Sequence, residues 1–268
     1  MSFRPFSPAC LNVPLVCLCL CLHVKAIGET YIIGSEDIDY YPHYRFTDSA
    51  IDKGFAWAVF NEFAKQSGHK FSYRSYPIKR LRREVLAKSI DFIYPDNPKW
   101  TPSAALRTNK TFSSAIITAI GSTLVLAGRE ARGLDDFTSL SLPRGFNPVK
   151  WAELIAQDKV HAIEVHNARA ALQLVINGRV DGADVELNVA NYLLQQMGEA
   201  QSLKFAPDLP YDPVTFHLST IKYPQVILQF NHFIEDNQPL LRELRQQYGI
   251  IEPDEIALQK QGTLEPTP

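Results

Sequence analysis

All four cysteines of this 268-residue chain lie before residue 22, and none follows. Cys17, Cys19 and Cys21 thread an apolar run from Leu15 to Leu22, and Cys10 precedes it, after a short segment carrying Arg4. Val24-Lys25-Ala26 then sets two small residues either side of one position, the pattern of a secretory cleavage site. The run is too short to span a bilayer as a permanent helix, and no later stretch is long and apolar enough to stop transfer. These features predict a signal peptide over residues 1–26 and an exported mature chain beginning near Ile27. A lipid-attachment role for Cys21 competes with this, but Leu20 precedes it where lipoprotein processing needs a small residue.

The consequence for folding is direct. A mature chain without cysteine has no disulfide framework, no thiol nucleophile and no thiolate metal site. Packing alone must hold it, and roughly 240 residues can bury one large core or two small ones. The predicted leader contains Arg4 and Lys25 and no acid, so the remainder is more acidic than the whole chain at −2. A mildly acidic chain is a poor candidate for nucleic acid, whose affinity comes from phosphate neutralisation.

Hydrophobic periodicity divides the chain into alternating elements. Thr30 to Gly34 reads as a strand entering an aromatic loop, Tyr40-Tyr41-Pro42-His43-Tyr44. Gly54 to Ser67 carries Phe55, Val59, Phe60 and Phe63 at helix-face spacing, with Gly68 as its stop. Lys70 to Tyr76 alternates as a strand, and Pro77 opens a basic helix over Ile78–Lys88. Ile90 to Tyr94 is a third strand, broken by Pro95 and Pro98. Further strands are predicted at Ala115–Ala119, Thr123–Ala127, Ser139–Leu142, Val160–Val165, Val180–Val185 and Val214–Ser219, with Gly121 separating the first two. Helices are predicted at Val149–Gln157, Asn167–Asn177, Leu187–Met197, Pro224–Asp236 and Pro239–Tyr248, with a frayed tail after Gly262. Strands separated by helices predict parallel α/β sheets.

Several segments carry a family likeness. They are Tyr41-Pro42-His43-Tyr44, the helix start at Gly54-Phe55, Ile90-Asp91-Phe92, Thr111-Phe112-Ser113, and Leu172 to Asp181 (LQLVINGRVD). The last is the most specific, a helix ending in Gly-Arg followed by a strand that opens with Asp. On these motifs the chain resembles the extracellular solute-binding proteins of the amino-acid-binding kind, the periplasmic receptors of ABC importers. The resemblance implies an α/β, two-lobed type II periplasmic-binding-protein fold with a central ligand cleft and two crossing strands. Lobe one would comprise residues 27–118 and 215–268, and lobe two residues 119–214.

The resemblance also implies site residues. Counted along Gly178-Arg179-Val180-Asp181-Gly182-Ala183-Asp184-Val185-Glu186, the acid that holds a ligand ammonium in such receptors falls at Glu186, with Asp184 nearby. Glu186 could equally start the helix at Leu187, where an acid complements the dipole. The arginine that grips a ligand carboxylate falls at Arg107, offset by one residue from the usual position. The strand end Tyr94 to Trp100 adds Asp96 and Trp100. Arg144 precedes Gly145 at the mouth of a lobe-two helix, where a planar guanidinium can grip a carboxylate or phosphate. Lys79 and Arg80 occupy a helix first turn against the dipole, an arrangement that fits an anion or the cleft facing them. Arg82 and Arg83 fall on the solvated face. Tyr40, Tyr41, Tyr44 and Trp100 fall in loops that can wall a ligand, whereas Trp57 fits the core of its helix.

No catalytic residue, metal ligand or cofactor motif is expected. His43, His69, His161, His166, His217 and His232 lack paired i,i+4 spacing around an acid, and neither a Gly-x-Ser-x-Gly elbow nor a glycine-rich phosphate loop occurs. The expectation is a periplasmic, monomeric, non-enzymatic receptor. It would capture a small polar ligand, an amino acid or a relative of one, by hinge closure and present it to an ABC permease. A membrane sensor of the same fold is the alternative, and a cyclic-acid dehydratase-like enzyme a lesser one.

Overall fold

The computed structural model describes residues 29–46, 51–100 and 109–255. The predicted signal peptide, Cys21, Arg107 and the tail after Gly262 lie outside the described residues.

The first half-sheet grows from β1 (Thr30–Glu36), which pairs in parallel with β2 (Lys70–Tyr76) along its whole length and with β3 (Phe92–Asp96). Helix α1 (Phe55–Ser67) connects β1 to β2, and α2 (Ile78–Leu86) connects β2 to β3. The predicted apolar face of α1 is the one buried, through Phe55, Val59, Phe60 and Phe63. These rings join Phe71, Phe92, Phe230 and Phe233 in an aromatic core, so this lobe is held by ring packing and not by cross-links. Trp57 is only partly buried at the edge of that core. A second small core, Tyr76, Leu81, Val85, Ile90 and Ile93, lies beneath α2.

A short strand, β4 (Thr111–Phe112), precedes the long β5 (Ile117–Leu126). The second half then follows as β6 (Ser139–Pro143), α3 (Ala152–Ala156), β7 (His161–Val165), α4 (Ala168–Ile176), β8 (Gly182–Glu186), α5 (Leu187–Gln196) and β9 (Leu203–Phe205). β10 (Asp212–Thr220) returns the chain to the first lobe, where α6 (Pro224–Asp236) and α7 (Gln238–Gln247) pack. The strand order is β2-β1-β3-β10-β5-β8-β6-β7, with β4 on β10 and β9 on β5. Pairing is parallel at β1–β2, β1–β3, β6–β7 and β6–β8, as the sequence predicts. The joining strands are antiparallel instead: Asp212–Phe216 of β10 faces Gly121–Ile117 of β5. Two lobes are thus connected through two crossing strands, each of which belongs to both.

Gly121 does not break a strand. The segments predicted as Ala115–Ala119 and Thr123–Ala127 are one continuous strand, with Gly121 paired to Asp212 on one side and Glu186 on the other. A Cβ at Gly121 would collide with the Asp212 carboxylate, so glycine here permits close approach between strands and not a turn. The helix predicted over Val149–Gln157 begins as a 3-10 turn, Val149–Trp151, and is α-helical only over Ala152–Ala156. Lobe two has its own cores, one around Leu172, Val175 and Val189 and one in which Trp151 stacks on Phe137 at 4.8 Å.

Gly54 ties the aromatic loop to α1. Its φ of 93° and ψ of 179° belong to a region that only glycine occupies readily. The amides of Phe55 and Ala56, two of the donors a helix start leaves unsatisfied, bond the carbonyls of Pro42 at 2.8 Å and His43 at 3.0 Å. An added Cβ would stand 2.8 Å from the Pro42 oxygen. Gly54→Ala is therefore expected to destabilise the protein by about 1–3 kcal/mol, checked by the urea midpoint.

Candidate functional site

The carboxyl ends of β1 and β8 meet at the junction of the lobes. From β1 comes the loop Tyr40–Tyr44, pinned by Gly54, and from β8 comes Glu186. Glu186 is only 6% exposed and caps α5, accepting a bond from Val189 N at 2.8 Å through Oε2. Helix initiation, one of its two predicted roles, is thus visible directly. Its other oxygen accepts from Ile120 N on the crossing strand at 3.2 Å and from Asn188 Nδ2 at 3.1 Å. Across the junction, His43 Nε2 lies 2.9 Å from Oε2, with both side chains buried. Neither ring nitrogen of His43 makes an aligned hydrogen bond, so the two groups are in close approach without a directed bond.

Burial by itself would raise the Glu186 carboxyl. His43 and the amides of Val189 and Asn188 outweigh it and hold the group below the usual carboxylate range. Asp184, two residues earlier on the same strand face, goes the other way: burial raises it although Lys150 Nζ bonds its Oδ1. Lys150 also stands 3.7 Å from Asp212 at the start of β10.

Aromatic rings line the same junction. Tyr40 stacks on Phe146 of lobe two at 6.2 Å and lies 6.3 Å from Phe216 of β10, which meets the edge of Trp100 at 5.9 Å. The Tyr40 hydroxyl is pushed well above its ordinary range, first by burial and then by Glu186, Glu36, Asp184 and Asp212. One phenol thus senses acids from both lobes. On the α5 side, Tyr41 packs against Tyr192 at 4.5 Å, and Arg45 donates to the Tyr192 hydroxyl at 3.2 Å. Asn188 clasps the lobe-one backbone at Ile251 through both its amide atoms, at 2.8 and 3.0 Å.

Not every predicted residue reaches this junction. Asp184, Glu186 and Trp100 lie there, and Arg144 begins the exposed turn that carries Phe146 onto Tyr40. Tyr41 contributes to the α5 contact. Tyr44 corrects the expectation of a cleft wall: it is 2% exposed in the lobe-one core, edge-on to Tyr94, because the turn that pairs Tyr40 with Tyr44 carries it inward. Asp96 is buried, ion-paired with Lys110 at 2.7 Å and accepting a hydrogen bond from the Ser219 hydroxyl, which ties β3 to β10 within lobe one. Arg80 is exposed, paired with Glu84 at 3.1 Å and stacked over Tyr76. Asp181 of the Gly-Arg-x-Asp motif bonds the backbone and hydroxyls of Thr138 and Ser139, locking β8 onto β6.

Sequence reasoning missed His43, Phe146 and Lys150. His43 had one signal, its place inside the Tyr-Pro-His-Tyr loop; Phe146 sits in an irregular turn, and Lys150 lies in the 3-10 turn Val149–Trp151, where no local pattern marks its reach to Asp184. Two cavities of about 10 Å³ each lie inside the lobes and not at the junction. Among the described residues no group of three His, Cys, Asp or Glu could hold a metal, and no helix is long and apolar enough to cross a membrane.

This architecture is the type II periplasmic-binding-protein fold. A periplasmic binding protein of an arginine transport system from Legionella pneumophila matches over 82% of this chain and 100% of its own, with a TM-score of 0.62 at 12% identity. The GluR0 ligand-binding core in complex with L-glutamate matches over 82% and 97%, with a TM-score of 0.64 at 14% identity. An ancestral arginine-binding protein bound to arginine matches over 83% and 99%, with a TM-score of 0.62 at 16% identity. No protein-family model matches the chain, and no curated protein is similar to it in sequence.

Glu186 gives a signed pH prediction. A carboxyl held low in the folded state contributes stability in full above its unfolded value, and that stability is lost as pH falls through the folded value. Asp184, held high, has the opposite slope. Glu186→Gln should therefore flatten the loss of stability as pH falls below about 4.5, the ordinary value of the group, read from urea midpoints. His43→Ala removes the ring that faces the buried acid and should cost about 1–3 kcal/mol, and adding Glu186→Gln should restore part of it.

Proposed function

We propose that this chain is an exported, non-enzymatic receptor that holds a small polar ligand, an amino acid or a related molecule, between its lobes. The observation that carries this is the junction itself. Acids and rings from two lobes converge at the carboxyl ends of their parallel strands, where α/β sheets bind ligands. The fold's neighbours, named for arginine binding and for L-glutamate, support the ligand class.

Capture proceeds by closure. The ligand docks on lobe one against Tyr40 and Trp100, and Glu186, Asp184 and Arg144 then complete its polar shell as the lobes approach. Glu186 and Asp184 already face His43 and Lys150, so a ligand ammonium enters by exchange with one of these side chains. That exchange avoids leaving a buried carboxylate unpaired at any stage. The closed form is the one a membrane permease would recognise.

A thermal-shift panel of amino acids, amines, small carboxylates, sugars and peptides tests this. A ligand at about 100 times its Kd adds roughly 2.7 kcal/mol, a shift of about 5–10 °C in a protein of this size. The expected result is a hit recovered chemically intact and weakened by Glu186→Ala. A hit converted to product would make the protein an enzyme, and silence across the panel would reject the receptor assignment.

A further inference from the structure

We propose that lobe one carries a docking face for an anionic lipid surface, formed by α2 and the strip of β2 that α2 leaves uncovered. Residues 70–88 contain seven Lys or Arg and one acid, Glu84, in a chain whose net charge is −2. Leu81 and Val85 anchor α2 through the small core that includes Tyr76. At 3.6 residues per turn, Ile78, Lys79, Arg82, Arg83 and Leu86 then share an arc of about 140° beside that buried stripe. All five are exposed.

β2 continues the surface. It is the terminal strand of the sheet path, and its Tyr76 packs with α2. Alternation along the strand puts Arg74 and Lys70 on that same face, where both are exposed. Internal pairing leaves the charge in place: Glu84 takes Arg80 at 3.1 Å, and Lys70, Arg74, Lys79 and Arg83 form no ion pair within 4.0 Å among the described residues. Lys79 and Arg80 moreover stand in the first turn, where cations oppose the helix dipole, so helix stability does not account for them.

The aliphatic residues choose the partner. Ile78 is 39% exposed and Leu86 56%, on the same arc as the cations. An interfacial helix uses this combination, with cations on headgroups and aliphatics at the acyl boundary. A nucleic acid would engage the cations but leave Ile78 and Leu86 without a contact. Attraction of Lys and Arg to an anionic leaflet adds up per residue and decays within a Debye length, so the face works only in direct contact. The proposal is independent of what the junction binds.

The test is co-sedimentation of the full chain with vesicles of phosphatidylcholine, with and without about one third phosphatidylglycerol. Binding should be roughly tenfold stronger to the anionic vesicles at about 0.05 M salt and should fall to the neutral level by about 0.5 M. Lys79→Glu/Arg83→Glu should abolish it without moving the melting temperature, since both side chains are exposed and neither forms an ion pair among the described residues. Ile78→Ser/Leu86→Ser should weaken it several-fold while keeping the salt dependence. Equal binding to neutral vesicles, no binding to anionic ones, or full binding by the charge-reversed variant would overturn the proposal. A DNA duplex that binds more tightly than the anionic vesicles would reassign the face to nucleic acid.

Discussion

A carboxylate taken out of water is costly unless hydrogen-bond donors meet it, and Glu186 collects its partners from three parts of the chain. Val189 and Asn188 come from the helix it caps, Ile120 from a crossing strand, and His43 from the other lobe. No single segment could supply this set. The acid therefore depends on the β8–α5 turn, on the register of β5 against β8 and on the loop after β1, all at once. Gly54 belongs to the same construction, because its positive φ lets α1 bond the carbonyls of Pro42 and His43 and so sets the imidazole in place.

Charge is distributed with a clear division. Inside the junction, Asp184 has Lys150 and Glu186 has His43, and the Tyr40 hydroxyl sits among acids of both lobes. On the outside of lobe one, α2 and β2 carry cations with few counter-charges. Rings do the remaining work in lobe one, where Phe60, Phe63, Phe230 and Phe233 fill the core a cysteine-free chain must build by packing alone.

The helices and strands were legible because each rests on local periodicity. Lys70–Tyr76 and Pro224–Asp236 match the structure residue for residue, since alternation and the N-terminal proline are both local signals. The strand that follows Gly-Arg was legible too, and with it the position of Asp184 and Glu186 toward its carboxyl end. Failures came where a residue's meaning was set by a distant neighbour. Gly121 looked like a break until Asp212 and Glu186 flanked it, and Tyr44 looked like a cleft wall until the core received it.

By itself the sequence determined the α/β alternation, the parallel pairing within each lobe, the helix starts and the absence of any thiol chemistry after residue 21. These follow from side-chain period, capping and composition, which act over a few residues. Only the tertiary structure decided which partners the buried charges take. His43 and Glu186 are 143 positions apart by number yet 2.9 Å apart in space, as Tyr40 and Phe146 are neighbours only across the lobes. A buried polar group is satisfied by whatever the fold brings within hydrogen-bond reach, and no local pattern encodes that meeting.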